Sequence, residues 1–277
     1  MIICEAGATK ADWRLIESGE QLAQLSTAGT NVSTMKMDAV AAVIREAAGQ
    51  LAAGPVDAIY YYTAGVLTDS ILAELDSLFK SCFDAQCVEI QTDLVASARA
   101  VCGREPGIAA ILGTGSNSCR WDGTQIVSQV RSGGFILGDE GSGARLGKLF
   151  LSDYIKGLVP ADVAEDFAGS FDASYAAIVE GVYRSASPSG YLGSFAPFLL
   201  KHRDDPYVAS LIRGNFQDFI VRILKKYDTD AYSVGLVGGF AWACGDILLP
   251  LLEQNGIRVS GISKAPVEGL IRYHCFK

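Results

Sequence analysis

The 277-residue chain is poor in histidine, with only His202 and His274, and contains no CxxC pair. That scarcity argues against a histidine-rich metal site, because such sites draw several imidazoles to one ion. Seven cysteines (Cys4, Cys82, Cys87, Cys102, Cys119, Cys244 and Cys275) are scattered and odd in number, which suits reduced, mostly buried thiols and not a disulfide framework. An excess of basic charge is also missing. Lys and Arg total 23 against 31 Asp and Glu, for a formal charge of −8. Nucleic acid and anionic membranes both select cationic surfaces, so neither is expected as the main partner. No apolar run reaches membrane-spanning length and no basic leader precedes one, so a soluble, cytoplasmic protein is expected. With 49% hydrophobic and 19% charged residues, the composition is that of a well-packed globular chain.

What the chain does have is glycine at the ends of apolar runs. Met1-Ile2-Ile3-Cys4 leads into Glu5-Ala6-Gly7-Ala8-Thr9-Lys10, and Ile108-Ala109-Ala110-Ile111-Leu112 leads into Gly113-Thr114-Gly115-Ser116-Asn117. Each reads as a strand entering a tight turn. Glycine lets backbone approach an anion closely, while hydroxyls and exposed N–H groups supply neutral donors. Two such loops in one chain point to a nucleotide held between two halves.

The spacing of apolar residues predicts alternating elements, hence an α/β fold. Strands are expected over 1–4, 12–17 and 21–26 as a meander. A helix over 38–52, a strand over 58–62, a helix over 70–79, a strand over 87–91 and an alanine-rich helix over 94–101 follow, the last capped by Asp93. Asp93 thus stands at the carboxyl end of a strand, where open α/β sheets bind ligands. Residues 103–107 read as a hinge, after which strands over 108–112, 118–121 and 125–130 repeat the opening meander. Helices are expected over 144–156, 161–169, 173–185, 194–202 and 206–226. A strand over 233–237 then ends in Gly238-Gly239 and runs into the apolar segment 240–252.

Five pieces in this order, Gly7-Ala8-Thr9-Lys10, Thr92-Asp93, Gly113-Thr114-Gly115-Ser116-Asn117, Gly133-Gly134-Phe135 through Gly138-Asp139-Glu140-Gly141-Ser142, and Val237-Gly238-Gly239, give the chain its family likeness. It resembles the actin-like sugar kinases, and within them the N-acetylglucosamine kinase and BadF-type ATPase branch. The resemblance implies two actin-like, ribonuclease H-like domains with an ATP cleft between them: a first lobe over 1–105, with 265–277 returning to it, and a second over 106–264. It implies ATP and Mg²⁺ as cofactors and an amino sugar as acceptor, most simply N-acetylglucosamine giving its 6-phosphate. Gly7, Ala8, Thr9, Lys10, Gly113, Thr114, Gly115, Gly238 and Gly239 would hold ATP. Asn31, Asp93, Ser116, Asn117, Gly134, Phe135 and Asp139 would face the sugar.

Phosphoryl transfer to a hydroxyl needs a group that orients it and takes its proton, and Asp93 suits that role. Mg²⁺ asks the protein for one or two carboxylates, with Glu5 and Asp139 the candidates. Most of the superfamily carries aspartate at the position of Glu5 and a small residue such as glycine or serine at that of Ala6. Plainer readings stand beside these. Asp93 is also a helix cap, Asp139 and Glu140 a first-turn acidic pair, Asn31 a turn residue, Lys10 a solvated lysine, and Tyr60 to Tyr62 core strand. At the level of the whole protein, a BadF-type ATPase acting on a protein partner and a catalytically weakened sugar or nucleotide sensor remain alternatives, and a homodimer is left open.

Overall fold

Period-two alternation builds the first sheet. In β1 (Ile2–Ala6), Ile2, Cys4 and Ala6 pack into one apolar cluster while Ile3 packs into another on the opposite face. The computed structural model describes residues 1–7, 10–33, 35–51, 54–65 and 67–276, and the chain divides into two compact units, Met1–Arg104 with Pro266–Lys277, and Glu105–Ala265.

In the first unit, β1 is followed by β2 (Lys10–Glu17), β3 (Glu20–Ala28), α1 (Met37–Leu51), β4 (Val56–Thr63), α2 (Asp69–Phe83), β5 (Ala85–Thr92) and α3 (Asp93–Cys102). The strands lie in the order β3-β2-β1-β4-β5. β2 is antiparallel to β1 and β3, and β4 and β5 run parallel to β1. One face buries Trp13 and Tyr61 against α1 and α2, the latter contributing Phe79 and Phe83. Trp13 satisfies its indole N–H with Thr27 Oγ1 at 2.9 Å, as a buried tryptophan must.

The second unit carries β6 (Gly107–Leu112), β7 (Ser116–Trp121), β8 (Ile126–Ser128), α4 (Gly134–Leu137), α5 (Gly143–Tyr154), α6 (Ala161–Ser170), α7 (Tyr175–Arg184), α8 (Pro188–Gly193), α9 (Ala196–Lys201), α10 (Pro206–Arg222), β9 (Val234–Val237), α11 (Gly239–Ala243), α12 (Gly245–Gln254) and β10 (Val259–Ser263). Its strand order, β10-β9-β6-β7-β8, repeats that of the first unit, an antiparallel meander followed by two parallel strands. The last helix, α13 (Val267–Cys275), packs on α3 and β1 of the first unit, where Leu270 joins Ile3, Ile16, Tyr62 and Ala96.

Several elements differ from the sequence expectations for identifiable reasons. The helix expected over 70–79 runs on to Phe83, because Leu75, Phe79 and Phe83 continue one buried stripe, and it stops where Asp84 adopts a left-handed conformation. The helix expected over 194–202 is α9, and the short α8 before it was not anticipated; Pro188 and Pro197 each stand in a first turn, where proline's missing N–H is harmless. The apolar segment 240–252 is split into α11 and α12. Strand β10 and the four-residue α4 carry no periodic signal, since β10 is a Ser- and Gly-containing edge strand. No helix among the described residues is long and apolar enough to cross a membrane.

Candidate functional site

In the first unit the carboxylates gather at one place. The β1–β2 register sets Glu5 opposite Asp12, and the β1–β4 register sets Glu5 beside Tyr62. Asp93 opens α3 directly after β5. The expectation that Asp93 caps this helix is corrected: Thr92 is the cap, its side chain accepting from Val95 N at 3.3 Å. Asp93 therefore sits in the first turn. Thr92→Ala is expected to lower unfolding stability by about 1 kcal/mol; an unchanged denaturant midpoint would refute the capping role.

Burial dominates the electrostatics here. It pushes the Asp93 carboxyl above its ordinary range, opposed by hydrogen bonds from the Leu94 and Asp93 N–H groups. The N–H groups of the helix start therefore do not offset the desolvation of Asp93. Glu5 is raised to about 7, first by burial, then by the charges of Asp93 and Asp12, with Lys10 opposing. Asp12 is raised by burial against the pull of Arg14 and Lys10.

Asp12 escaped the sequence reading. Its Oδ2 lies 3.1 Å from Arg14 and 3.9 Å from Lys10, while its buried Oδ1 has no hydrogen-bond partner among the described residues. The signal was present: in a hairpin, two acidic residues on facing strands at the same register share a face. An orphaned carboxylate oxygen beside Glu5 fits a hard, hydrated cation such as Mg²⁺. Among the described residues, no group of three His, Cys, Asp or Glu side chains is placed to hold a metal by protein ligands alone. A hydrated Mg²⁺ does not require one.

Around these carboxylates stand the other first-unit candidates. Gly7 N donates to Lys10 O at 3.0 Å, closing the first glycine loop, and Lys10 is exposed. Ala8 and Thr9 lie outside the described residues. Asn31 bridges to Ala64, and its Oδ1 accepts from Ser33 N at 2.9 Å, so its acceptor serves the turn.

The second unit draws together Gly113, Thr114, Gly115, Ser116, Asp139 and Gly238. Gly113 O and Thr114 O accept from the Gly143 and Ala144 N–H groups at the start of α5, at 2.9 and 3.0 Å. Asp139 Oδ1 accepts from Ser116 N at 3.3 Å. A Cβ on Gly238, whose φ is +130°, would collide with the Leu112 carbonyl, which is why glycine is required there. Asn117 Oδ1 is occupied by Ser118 N and Gln129 Nε2. Gly239 opens α11, and Gly134 and Phe135 lie in α4.

The reading of Asp139 and Glu140 as a first-turn acidic pair fails. Ser142 caps α5, Asp139 has a φ of +55°, and the buried Glu140 pairs with Arg222 at 3.1 Å. Burial raises the Asp139 carboxyl, the Ser116 N–H opposes, and Glu140 adds to the rise. The tyrosine run is core, with Tyr61 and Tyr62 fully buried. His274, unmarked in sequence, stacks on Tyr60 and bonds Tyr62 OH at 2.7 Å; burial and the charges of Arg99 and Arg104 lower it to about 4.

No protein-family model matches the chain, and no curated protein matches it. Solved structures do. The chain is 34% identical to a provisionally assigned N-acetylglucosamine kinase from Porphyromonas gingivalis, with a TM-score of 0.91 over 99% of this chain and 98% of that one. A second such protein, from Chromobacterium violaceum, aligns at 23% identity and a TM-score of 0.78 over 98% of both chains. A ROK-family glucokinase from Streptomyces griseus, solved with glucose and AMPPNP, aligns at 15% identity and a TM-score of 0.62 over 99% of this chain and 97% of that one. The last two carry the likeness of fold alone.

Proposed function

Because this chain belongs to the N-acetylglucosamine kinase family of the actin-like sugar kinases, we propose that it transfers the γ-phosphoryl group of ATP to the 6-hydroxyl of N-acetylglucosamine, with Asp93 as base. The carrying observation is a half-buried carboxylate just past a strand end whose capping duty belongs to its neighbour Thr92, so that Asp93 is left for a ligand. In the reaction the acceptor oxygen forms its bond to the γ-phosphorus as the bond to the β-phosphate oxygen breaks. The hydroxyl proton passes to the Asp93 carboxylate, leaving ADP and the sugar phosphate.

The first glycine loop, with Lys10, serves the phosphates, as do Gly113, Thr114 and Gly115. The Gly238-Gly239 turn, where a Cβ on Gly238 would strike the Leu112 carbonyl and one on Gly239 would meet open space, leaves bare backbone for the adenosine to approach. Asn31, Ser116, Asn117, Gly134, Phe135 and Asp139 supply the sugar contacts. For Mg²⁺, Glu5, with Asp12 in register opposite it, is the proposed carboxylate of the first unit and Asp139 that of the second; the ion when bound would offset the negative charge of the phosphoryl oxygens.

The test is ADP release measured with N-acetylglucosamine, N-acetylmannosamine, glucosamine and glucose, and phosphorus NMR of the product. We expect the fastest release with N-acetylglucosamine and a single 6-phosphate resonance. Release no faster with any sugar than without one would sink the proposal.

A further inference from the structure

Segment 132–139 holds three of the proposed sugar contacts, yet little of it is secured by packing. Ile136 and Leu137 are 70% and 81% exposed, and only Phe135 leans on the core. A four-residue helix does not hold itself, since one turn spends backbone entropy for few hydrogen bonds. Gly133 and Gly134 adopt φ of +75° and +66°, and the loop is closed by Asp139 N to Ser132 O at 3.0 Å and Gly138 N to Gly134 O at 2.8 Å. A side chain at Gly138 would run into the Ser132 carbonyl.

A side chain from outside the loop reaches its backbone. Lys148, in the second turn of α5, donates from Nζ to Phe135 O at 2.6 Å and to Ile136 O at 3.4 Å. Lys148 is half-buried, with Asp139 and Glu140 as its attracting charges and Arg145 as the repelling one. An ammonium with several donors can hold two carbonyls and still balance nearby carboxylates. The α5 helix is itself fixed, its first N–H groups tied to the Gly113 and Thr114 carbonyls and its Arg145 paired with Asp218 at 3.2 Å. Lys148 thus transfers the rigidity of α5 to a loop that lacks its own.

We propose that Lys148 is a positioning residue for sugar recognition: it clamps the Phe135–Ile136 backbone so that Gly134, Phe135 and Asp139 meet the acceptor in one arrangement. This rests on the sugar-kinase reading above. The residue touches no reacting atom in this scheme, so its loss is felt in the sugar's KM and not in the phosphoryl-transfer step.

The test pairs kinetics with amide hydrogen exchange on the full chain. In Lys148→Met we expect a rise of about tenfold in sugar KM, with ATP KM and kcat within about twofold, and at least tenfold faster exchange over residues 134–138 alone. Lys148→Arg, which keeps a charged donor, is expected to restore most of both. Unchanged exchange in Lys148→Met overturns the clamp, and faster exchange with unchanged sugar KM overturns its role in recognition. Should Lys148→Met not fold, Lys148→Gln bears the same readings. Absence of sugar-dependent turnover in the wild type is a different result: it removes the kinase reading, while exchange still reports whether Lys148 holds the loop.

Discussion

Asp93→Asn is expected to lower kcat by roughly 10²- to 10⁴-fold, the range a positioned general base contributes, while ATP affinity stays within about twofold. The substitution is nearly isosteric. It leaves the Thr92 cap and its bond to Val95 N untouched, so α3 keeps its start. It also removes a charge that burial disfavours, so no loss of folding accompanies the loss of rate. The pH profile carries a second signature. The carboxylate must be ionised to accept a proton, and burial has raised its pKa, so activity is lost as pH falls through a value above the ordinary carboxylate range. In Asp93→Asn that limb is expected to vanish. Stopped-flow measurement of the transfer step and ATP calorimetry check both halves; turnover within tenfold of wild type would take Asp93 out of the base role.

The architecture was legible because both meanders announce themselves by alternation and by the glycines that end β1 and β6. What eluded the sequence lay wherever a neighbour in space decides the outcome. Thr92 and Asp93 have similar capping preference, and only the helix's actual first turn chooses between them. Glu140 reads as a helix-start acid until Arg222, far along the chain on α10, takes its carboxylate. Lys148 looks like any solvated helix lysine until a loop without periodicity folds over it. His274 lacks a sequence signature because its partners Tyr60 and Tyr62 belong to β4. Asp12 is the instructive miss, since facing strands of a short hairpin make its proximity to Glu5 deducible from register parity alone.

Glu5→Gln is expected to make the metal-free protein more stable and the enzyme far less active. The Glu5 carboxyl rises from its ordinary 4.5 to about 7 in the folded chain, through burial and the charges of Asp93 and Asp12. The sign follows directly. Below pH 4.5 the group is protonated in folded and unfolded chains alike and the substitution changes nothing. Between 4.5 and 7 the unfolded chain ionises while the folded chain keeps its proton, so folding is progressively disfavoured. Above 7 the full penalty stands, up to roughly 3 kcal/mol from that shift. Denaturant midpoints with chelator present should therefore coincide for wild type and Glu5→Gln at pH 4 and separate by pH 8, the variant being the more stable. Equal midpoints at pH 8 would show that Glu5 is not held against its own desolvation. Turnover should fall at every pH in Glu5→Gln but survive in Glu5→Asp, which restores the carboxylate usual at this position. A carboxylate held against its own desolvation gains from a bound cation, and the Asp12 oxygen beside Glu5, without a hydrogen-bond partner among the described residues, supplies a second ligand for one.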